Sequence, residues 1–281
     1  MTPMRLEAPA KLNLALRVIG RRPDGFHLLD SEMVLLELAD RLMLMPGSVG
    51  LRVEALPDDE VPIDRQNLAW RGLVAGIGGE PELTCLTLEK RIPAAAGLGG
   101  GSSDAAAAWR LGRRSSGADE RPGSAELASL AAIGADVPFF AAQVAAARIS
   151  GIGERVDPMP LPQETEVVLV HPPFRLETGA VFAELRPSEW NGAAGQGVND
   201  LLGPARRLSP ALDNIFALVA AAGGAPFLTG SGPTVFAWTD DPERAAAIAA
   251  RLRRAGVRVT ETRIRREPAS IEPLSEEMED A

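Results

Sequence analysis

"RIPAAAGLGGGSSDAAAAWR", residues 91–110, sets four glycines between positions 97 and 101 and then runs into alanine. The segment before it, "LTCLTLEKRI", alternates as a strand and stops at Pro93, and residues 102–114 read as a helix. A plain strand-to-helix turn needs one or two glycines, and each further one costs about 0.5–1 kcal/mol of order. Glycines lacking Cβ let successive N–H groups curl around an anion, and Ser102 and Ser103 stand where a helix is capped and its positive end begins. Strand, glycine loop and helix start together make a phosphate cradle. Neither G-x-x-x-x-G-K-[ST] nor G-x-G-x-x-G fits: no lysine follows the glycines, and position 102 is serine. Asp104 either satisfies the helix dipole or faces a magnesium ion.

The rest of the composition narrows what such a loop serves. The chain has 281 residues, 46% hydrophobic and 24% charged, which suits one large or two ordinary domains. A net charge of −9 argues against non-specific nucleic-acid binding. No apolar stretch approaches the roughly 20 residues that span a bilayer, and the start shows no signal peptide. Cys85 is the only cysteine and lies in an apolar run, so a buried, inert thiol in a reducing cytoplasm is expected. Two distant histidines, His27 and His171, leave little for a zinc site or a Ser-His-Asp triad. Lys11 and Lys90 are the only lysines among 29 basic residues, which makes them suspects wherever a compact ammonium is needed.

"KLNLALRVI" alternates, with Lys11, Asn13 and Arg17 on the polar side of a strand. "RRPDGFH" is a turn, and "NLAWRGLVAGIGG" a helix stopped by Gly78 and Gly79. "RISGIGERV" and "EVVLVHPP" read as strands around a domain junction. The second half continues with "ETGAVFAEL" as helix, "APFLTGSGPTVFAWTD" as strand–turn–strand, a helix over 243–256 and the strand "VRVTETRI". Strands and helices intersperse without regular alternation, so the fold class is α+β. The acidic, proline-broken tail, 267–281, is expected to be disordered.

"PAAAGLGGGSSDAAAA" resembles the phosphate-binding motif of the GHMP kinase superfamily, small-molecule kinases unrelated to protein kinases. "APAKLNLALRVIGRRPDGFH" is similar to the branch of that superfamily acting on a cytidine-diphospho-methylerythritol, in non-mevalonate isoprenoid biosynthesis. "QNLAWR", "GADVPFF", "GIGERV", "VNDL" and "LTGSGPTVFA" follow in the same order, so the likeness runs from residue 7 to about 265. It implies an N-terminal domain of ribosomal-S5 type over 1–157 and a ferredoxin-like domain over 158–266, with an active cleft between them. It further implies ATP and magnesium, transfer to the substrate's 2-hydroxyl, a monomer or homodimer, and no nucleic-acid or membrane partner.

The resemblance also implies roles. Asp136 matches a catalytic base, against the alternative of a helix N-cap, and Lys11 would lie beside it and orient the hydroxyl. ATP would contact Pro93, Ala94, Ala95 and Ala96, then Gly97, Leu98, Gly99, Gly100 and Gly101, then Ser102 and Ser103. Asn67 and Lys90 would stand near adenine and ribose, against an N-cap and a surface strand end. Asn13, Asp24, Phe26 and His27 would serve the cytidyl substrate, with Phe182 as a second stacking face. Thr229, Gly230, Ser231 and Gly232 form a second glycine turn, either a hairpin or a cover over the substrate. No residue stands out as a protein ligand for magnesium; Ser103 is the choice beside Asp104, with ATP oxygens and water expected to hold most of the ion. Two other readings stay open: a homoserine- or mevalonate-type kinase, for which "RPDGFH" has no use, and an inactive nucleotide-binding regulator, for which Lys11 with Asp136 has none.

Overall fold

The structure, a computed structural model, describes residues 2–57, 59–163, 165–190 and 198–274. Its organising element is a long antiparallel hairpin, β1 (Met4–Arg21) and β2 (His27–Pro46), joined by the proline- and glycine-bearing turn 22–26. β2 is long enough to take two different partners along its second edge. β5 (Ala146–Gly151) pairs with its first half and β4 (Thr84–Glu89) with its second. β3 (Gly50–Glu54) lies parallel to β4, and β6 (Arg155–Pro158) closes a hairpin with β5.

Two helices cover one face of this sheet. α1 (Leu68–Ile77) starts on Asn67, whose side-chain oxygen accepts from Ala69 N at 2.8 Å, and ends at Gly78 in the left-handed region. α2 (Gly100–Ser115) begins two residues earlier than its sequence pattern predicts, because Gly99 in the left-handed region already caps it. The two helices cross backbone to backbone: a Cβ on Gly72 would lie 2.1 Å from the Ala105 carbonyl oxygen. The short helices α3 (Ser124–Ala131) and α4 (Val137–Ala141) complete this layer.

The chain then enters a second sheet. Its strands are β7 (Glu166–His171), β8 (Phe227–Leu228), β9 (Val235–Thr239) and β10 (Arg258–Arg263). α5 (Thr178–Glu184), α6 (Leu202–Leu208) and α7 (Leu212–Ala221) lie between β7 and β8, and α8 (Pro242–Arg254) between β9 and β10. The spatial order β10-β7-β9-β8 is the antiparallel arrangement of a ferredoxin-like domain. α6 and α7 lacked a prediction of their own from the sequence.

The two sheets share a core. Leu12, Leu14, Val34, Leu36 and Leu98 pack with Val167, Leu169, Phe236 and Ile264. β1 is therefore buried on both faces from Ala8 to Leu16. That overturns the expected solvent-facing side of this strand: Lys11 and Asn13 are each only 3% exposed.

Two smaller expectations also change. Residues 267–274 do not fray: β11 (Glu272–Pro273) pairs with β1, Ala269 is buried, and its carbonyl accepts from Arg110 at 2.8 Å. Residues 275–281 of the expected tail lie outside the described residues. Cys85 is half-buried rather than buried. Among the described residues no helix is long and apolar enough to cross a membrane.

Candidate active site

Between the sheets, glycine loop and second glycine turn lies a cleft of about 620 Å³. The glycine loop forms one wall. Ala95, Gly97 and Gly99 all adopt positive φ (52°, 76° and 72°), separated by residues of ordinary conformation. Such alternation turns main-chain N–H groups toward one concavity, and the first-turn amides of α2, unused within the helix, add to it.

Each of two glycines has its own reason. A Cβ at Gly97 would stand 2.6 Å from the Thr229 carbonyl oxygen and 2.8 Å from that of Gly232, so the second turn rests directly on the first loop. A Cβ at Gly99 would meet the Lys11 side chain at 2.9 Å and Phe140 at 3.0 Å. The loop is glycine-rich for packing as well as for its amides.

Lys11 reaches the centre of the cleft from β1. Its ammonium donates to Asn13 Oδ1 at 2.5 Å and to the Gly97 carbonyl at 2.9 Å, and stands 3.6 Å from Asp136 Oδ2. Burial lowers the Lys11 pKa below its ordinary value, and the Asp136 charge opposes that shift. Asn13 is held in turn by donating to Ser31 Oγ at 2.8 Å, which itself donates to the Ala15 carbonyl at 2.7 Å. Asp136 precedes α4 but makes no side-chain cap bond, so the N-cap alternative fails and its partly exposed carboxylate faces Lys11.

The second turn closes the seam from the other domain. Thr229 Oγ1 accepts from Asn13 N at 3.2 Å, and Ser231 Oγ lies 2.9 Å from Thr178 Oγ1. Asn199, from the "VNDL" segment, donates to the carbonyls of Leu228 and Gly230 at 2.9 and 2.8 Å. Asp200 accepts from Val18 N at 2.8 Å, which ties the same segment to β1. Their roles were not read from the sequence, although the motif was noticed.

At one end of the cleft Phe182 stacks on His27, ring centroids 5.2 Å apart, and Trp190 meets His27 edge-on at 6.2 Å. Burial and the nearby Arg21 charge lower the His27 pKa, favouring the neutral ring. Phe26 is 60% exposed at the turn. Asp24 is occupied in building that turn: its carboxylate accepts from Phe26 N at 3.3 Å and pairs with Arg22 at 2.7 Å.

Three expected nucleotide contacts are placed differently. Asn67 lines the other end of the cleft, yet its oxygen caps α1 and its amide donates to the Pro62 carbonyl at 2.6 Å. Lys90 is not on the surface: it lines the cleft, and its ammonium pairs with Asp40 and, at 2.8 Å, with Asp104. Ser102 lines the cleft, but Ser103 lines a narrow crevice with Pro9, Ala106 and Phe140 instead, and its buried hydroxyl finds no partner among the described residues. Ser103 therefore does not fit as a magnesium ligand. Asp40 was missed altogether. It falls in phase with Leu36, Leu38, Leu42 and Leu44, and a carboxylate in the apolar phase of a strand signals a buried partner.

Comparison with known proteins shows the family. The GHMP kinases N terminal domain matches residues 67–143, and GHMP kinases C terminal matches residues 186–258. The chain is 39% identical to a 4-diphosphocytidyl-2-C-methyl-D-erythritol kinase of Rhodopseudomonas palustris, over 91% of this chain and 95% of that protein. It is 37% identical to one from Thermus thermophilus, over 88% and 91%. A crystal structure of 4-(cytidine 5'-diphospho)-2C-methyl-D-erythritol kinase superposes with a TM-score of 0.76 at 34% identity, covering 92% of this chain and 98% of that one. A homoserine kinase from Cytophaga hutchinsonii shares the fold, with a TM-score of 0.67 at 17% identity. With a lysine–aspartate pair facing a glycine loop across this two-domain cleft, the chain belongs to the GHMP kinases, in the family of 4-diphosphocytidyl-2-C-methyl-D-erythritol kinases.

Proposed function

We propose that the chain transfers the γ-phosphoryl group of ATP to the 2-hydroxyl of 4-diphosphocytidyl-2-C-methyl-D-erythritol, a step toward isoprenoid precursors. The observation that carries this is the meeting of Lys11, Asp136 and Gly97 at one point of the cleft. In this reading residues 1–157 supply the nucleotide loop and the base, and residues 158–266 supply Phe182 and the covering turn 229–232.

The loop amides from Gly97 to Ser102 hold the triphosphate and fix its γ-phosphorus against the acceptor hydroxyl. Asp136 accepts the hydroxyl proton as the oxygen bonds to phosphorus and the bond to ADP breaks. Lys11 keeps Asp136 charged and steadies the hydroxyl. Its own position is fixed by Asn13 and the Gly97 carbonyl. Phosphoryl transfer demands little covalent help, so placement and charge supply most of the acceleration. His27, Phe182 and Phe26 provide the aromatic end that takes the cytosine. Magnesium, when bound, would neutralise phosphate charge; with Ser103 lining a different crevice, the nucleotide's oxygens and water would be left to hold it.

The test is ADP release with the purified chain, ATP, magnesium and each of three acceptors. Turnover with the cytidyl substrate alone supports the reading. Turnover with homoserine or mevalonate in its place, or ATP binding without turnover of any acceptor, overturns it.

A further inference from the structure

Beside the glycine loop lies an ion cluster whose members the proposed reaction does not use, with Lys90 and Asp104 at the wall of the cleft and Asp40 behind them. Lys90, Asp40 and Asp104 are 6%, 0% and 2% exposed. Lys90 Nζ pairs with Asp40 Oδ2 and with Asp104 Oδ2, and Asp40 Oδ1 accepts from Arg91 N at 2.5 Å and Ile92 N at 2.8 Å. The positions of the three in the chain matter more than their charges. Lys90 is the last residue before the loop segment, Asp104 lies in the first turn of α2 beyond it, and Asp40 belongs to β2. One ammonium thus joins the two ends of the segment 91–103 to each other and to the sheet.

We infer that Lys90, Asp40 and Asp104 are positioning residues that splint the phosphate loop, setting its nucleotide affinity without touching the nucleotide. This rests on the reading of residues 97–102 as that loop. Glycines make the segment costly to order, and a loop whose ends are already tied gives up less freedom when an anion arrives. The helix start fits directly onto the cluster: a Cβ on Gly100 would lie 3.1 Å from Ile92 and 3.3 Å from Lys90 Nζ. The cluster is also brittle. Removing Lys90 leaves two buried carboxyl groups without their cation, and removing Asp104 unties the start of α2 while Lys90 keeps Asp40.

Hydrogen exchange of the amides of residues 97–103 without nucleotide, together with steady-state kinetics, tests the splint. Asp104→Ala is expected to speed loop exchange about tenfold and raise the KM for ATP about tenfold, with kcat and the acceptor KM within about threefold. Asp104→Asn, which keeps the side chain's shape and an accepting oxygen, restores both to within about threefold of the parent. Lys90→Met should reproduce the Asp104→Ala pattern. If Asp104→Ala does not fold, Asp104→Ser carries the same comparison.

Unchanged loop exchange in folded Asp104→Ala or Asp104→Ser overturns the splint, whatever happens to the KM. A raised KM in Lys90→Met with a normal KM in Asp104→Ala overturns it too, since Lys90 then acts on the nucleotide directly. Failure of the loop reading shows separately: ATP would not protect the same amides in the parent protein, and the splint would then be judged on nucleotide-free exchange alone.

Discussion

The Lys11 ammonium stands 3.6 Å from the Asp136 carboxylate while donating to the Gly97 carbonyl, so one side chain touches both the proposed base and the proposed phosphate loop. Asp136→Asn keeps the shape and removes the proton acceptor. We expect kcat to fall about 10²–10⁴-fold with the KM for ATP little changed, measured by ADP release. A rate within a few-fold of the parent would remove Asp136 from the proposed role.

Lys11→Ala should lose a comparable part of kcat for a different reason. It leaves Asp136 without its neighbouring cation and also frees the Gly97 carbonyl from a buried hydrogen bond. Its thermal midpoint should therefore drop as well, whereas that of Asp136→Asn should hold. Near-normal turnover by Lys11→Ala would place the reacting hydroxyl elsewhere.

Gly97→Ala tests the seam between the domains. Position 97 has a φ of +76°, and the new methyl would stand 2.6 Å from a backbone oxygen of the second turn. The expected cost is about 1–3 kcal/mol, read as a lower denaturation midpoint. Gly50→Ala, where a methyl meets nothing within 4 Å, is the control and should shift the midpoint little.

His27→Ala and Phe182→Ala separate the two substrates. Their rings stack on each other, with Phe182 at the cleft wall, and neither belongs to the glycine loop. Each should raise the KM for the cytidyl substrate about tenfold or more while leaving that for ATP within about twofold. A parallel rise in both would show a general loss of structure.

His171 predicts acid sensitivity. It is buried at the end of β7, with Nε2 3.0 Å from Thr260 Oγ1 and Nδ1 unpartnered. Burial, with the Arg258 charge adding, pushes its pKa down to about 4, below the ordinary 6.5. The folded state therefore prefers the neutral ring. The stability this contributes is complete above about pH 6.5 and is lost as pH falls from there through about 4, to a total of about 3 kcal/mol. Urea midpoints at pH 7.5 and pH 4.5 should converge in His171→Gln relative to the parent.

Much of this architecture was legible because the patterns were strong. The alternation of Leu12, Leu14, Leu16 and Val18 marks β1, and the cluster from Gly97 to Gly101 marks the loop. What alternation cannot say is which face a second domain will cover. Lys11 and Asn13 therefore looked solvent-facing, although they are central to the cleft. Lys90 misled in the same way: a lysine at a strand end looks exposed, and only the fold brings Asp40, 50 residues away, to its ammonium. Asn67 left two readings open, a cap and a nucleotide contact; the cap, which depends on near neighbours alone, is the one its hydrogen bonds show. Ser103 could not be separated from Ser102 by composition. The helix turn decides which hydroxyl looks into the cleft.

The contact of Thr229 and Gly232 with Gly97 is main chain against main chain, with no side chain between to swing aside. It acts as a fixed waist. Prising the second turn off the loop would mean shifting whole stretches of backbone, so the width of the cleft at this point is set by the fold and not by the rotation of any side chain.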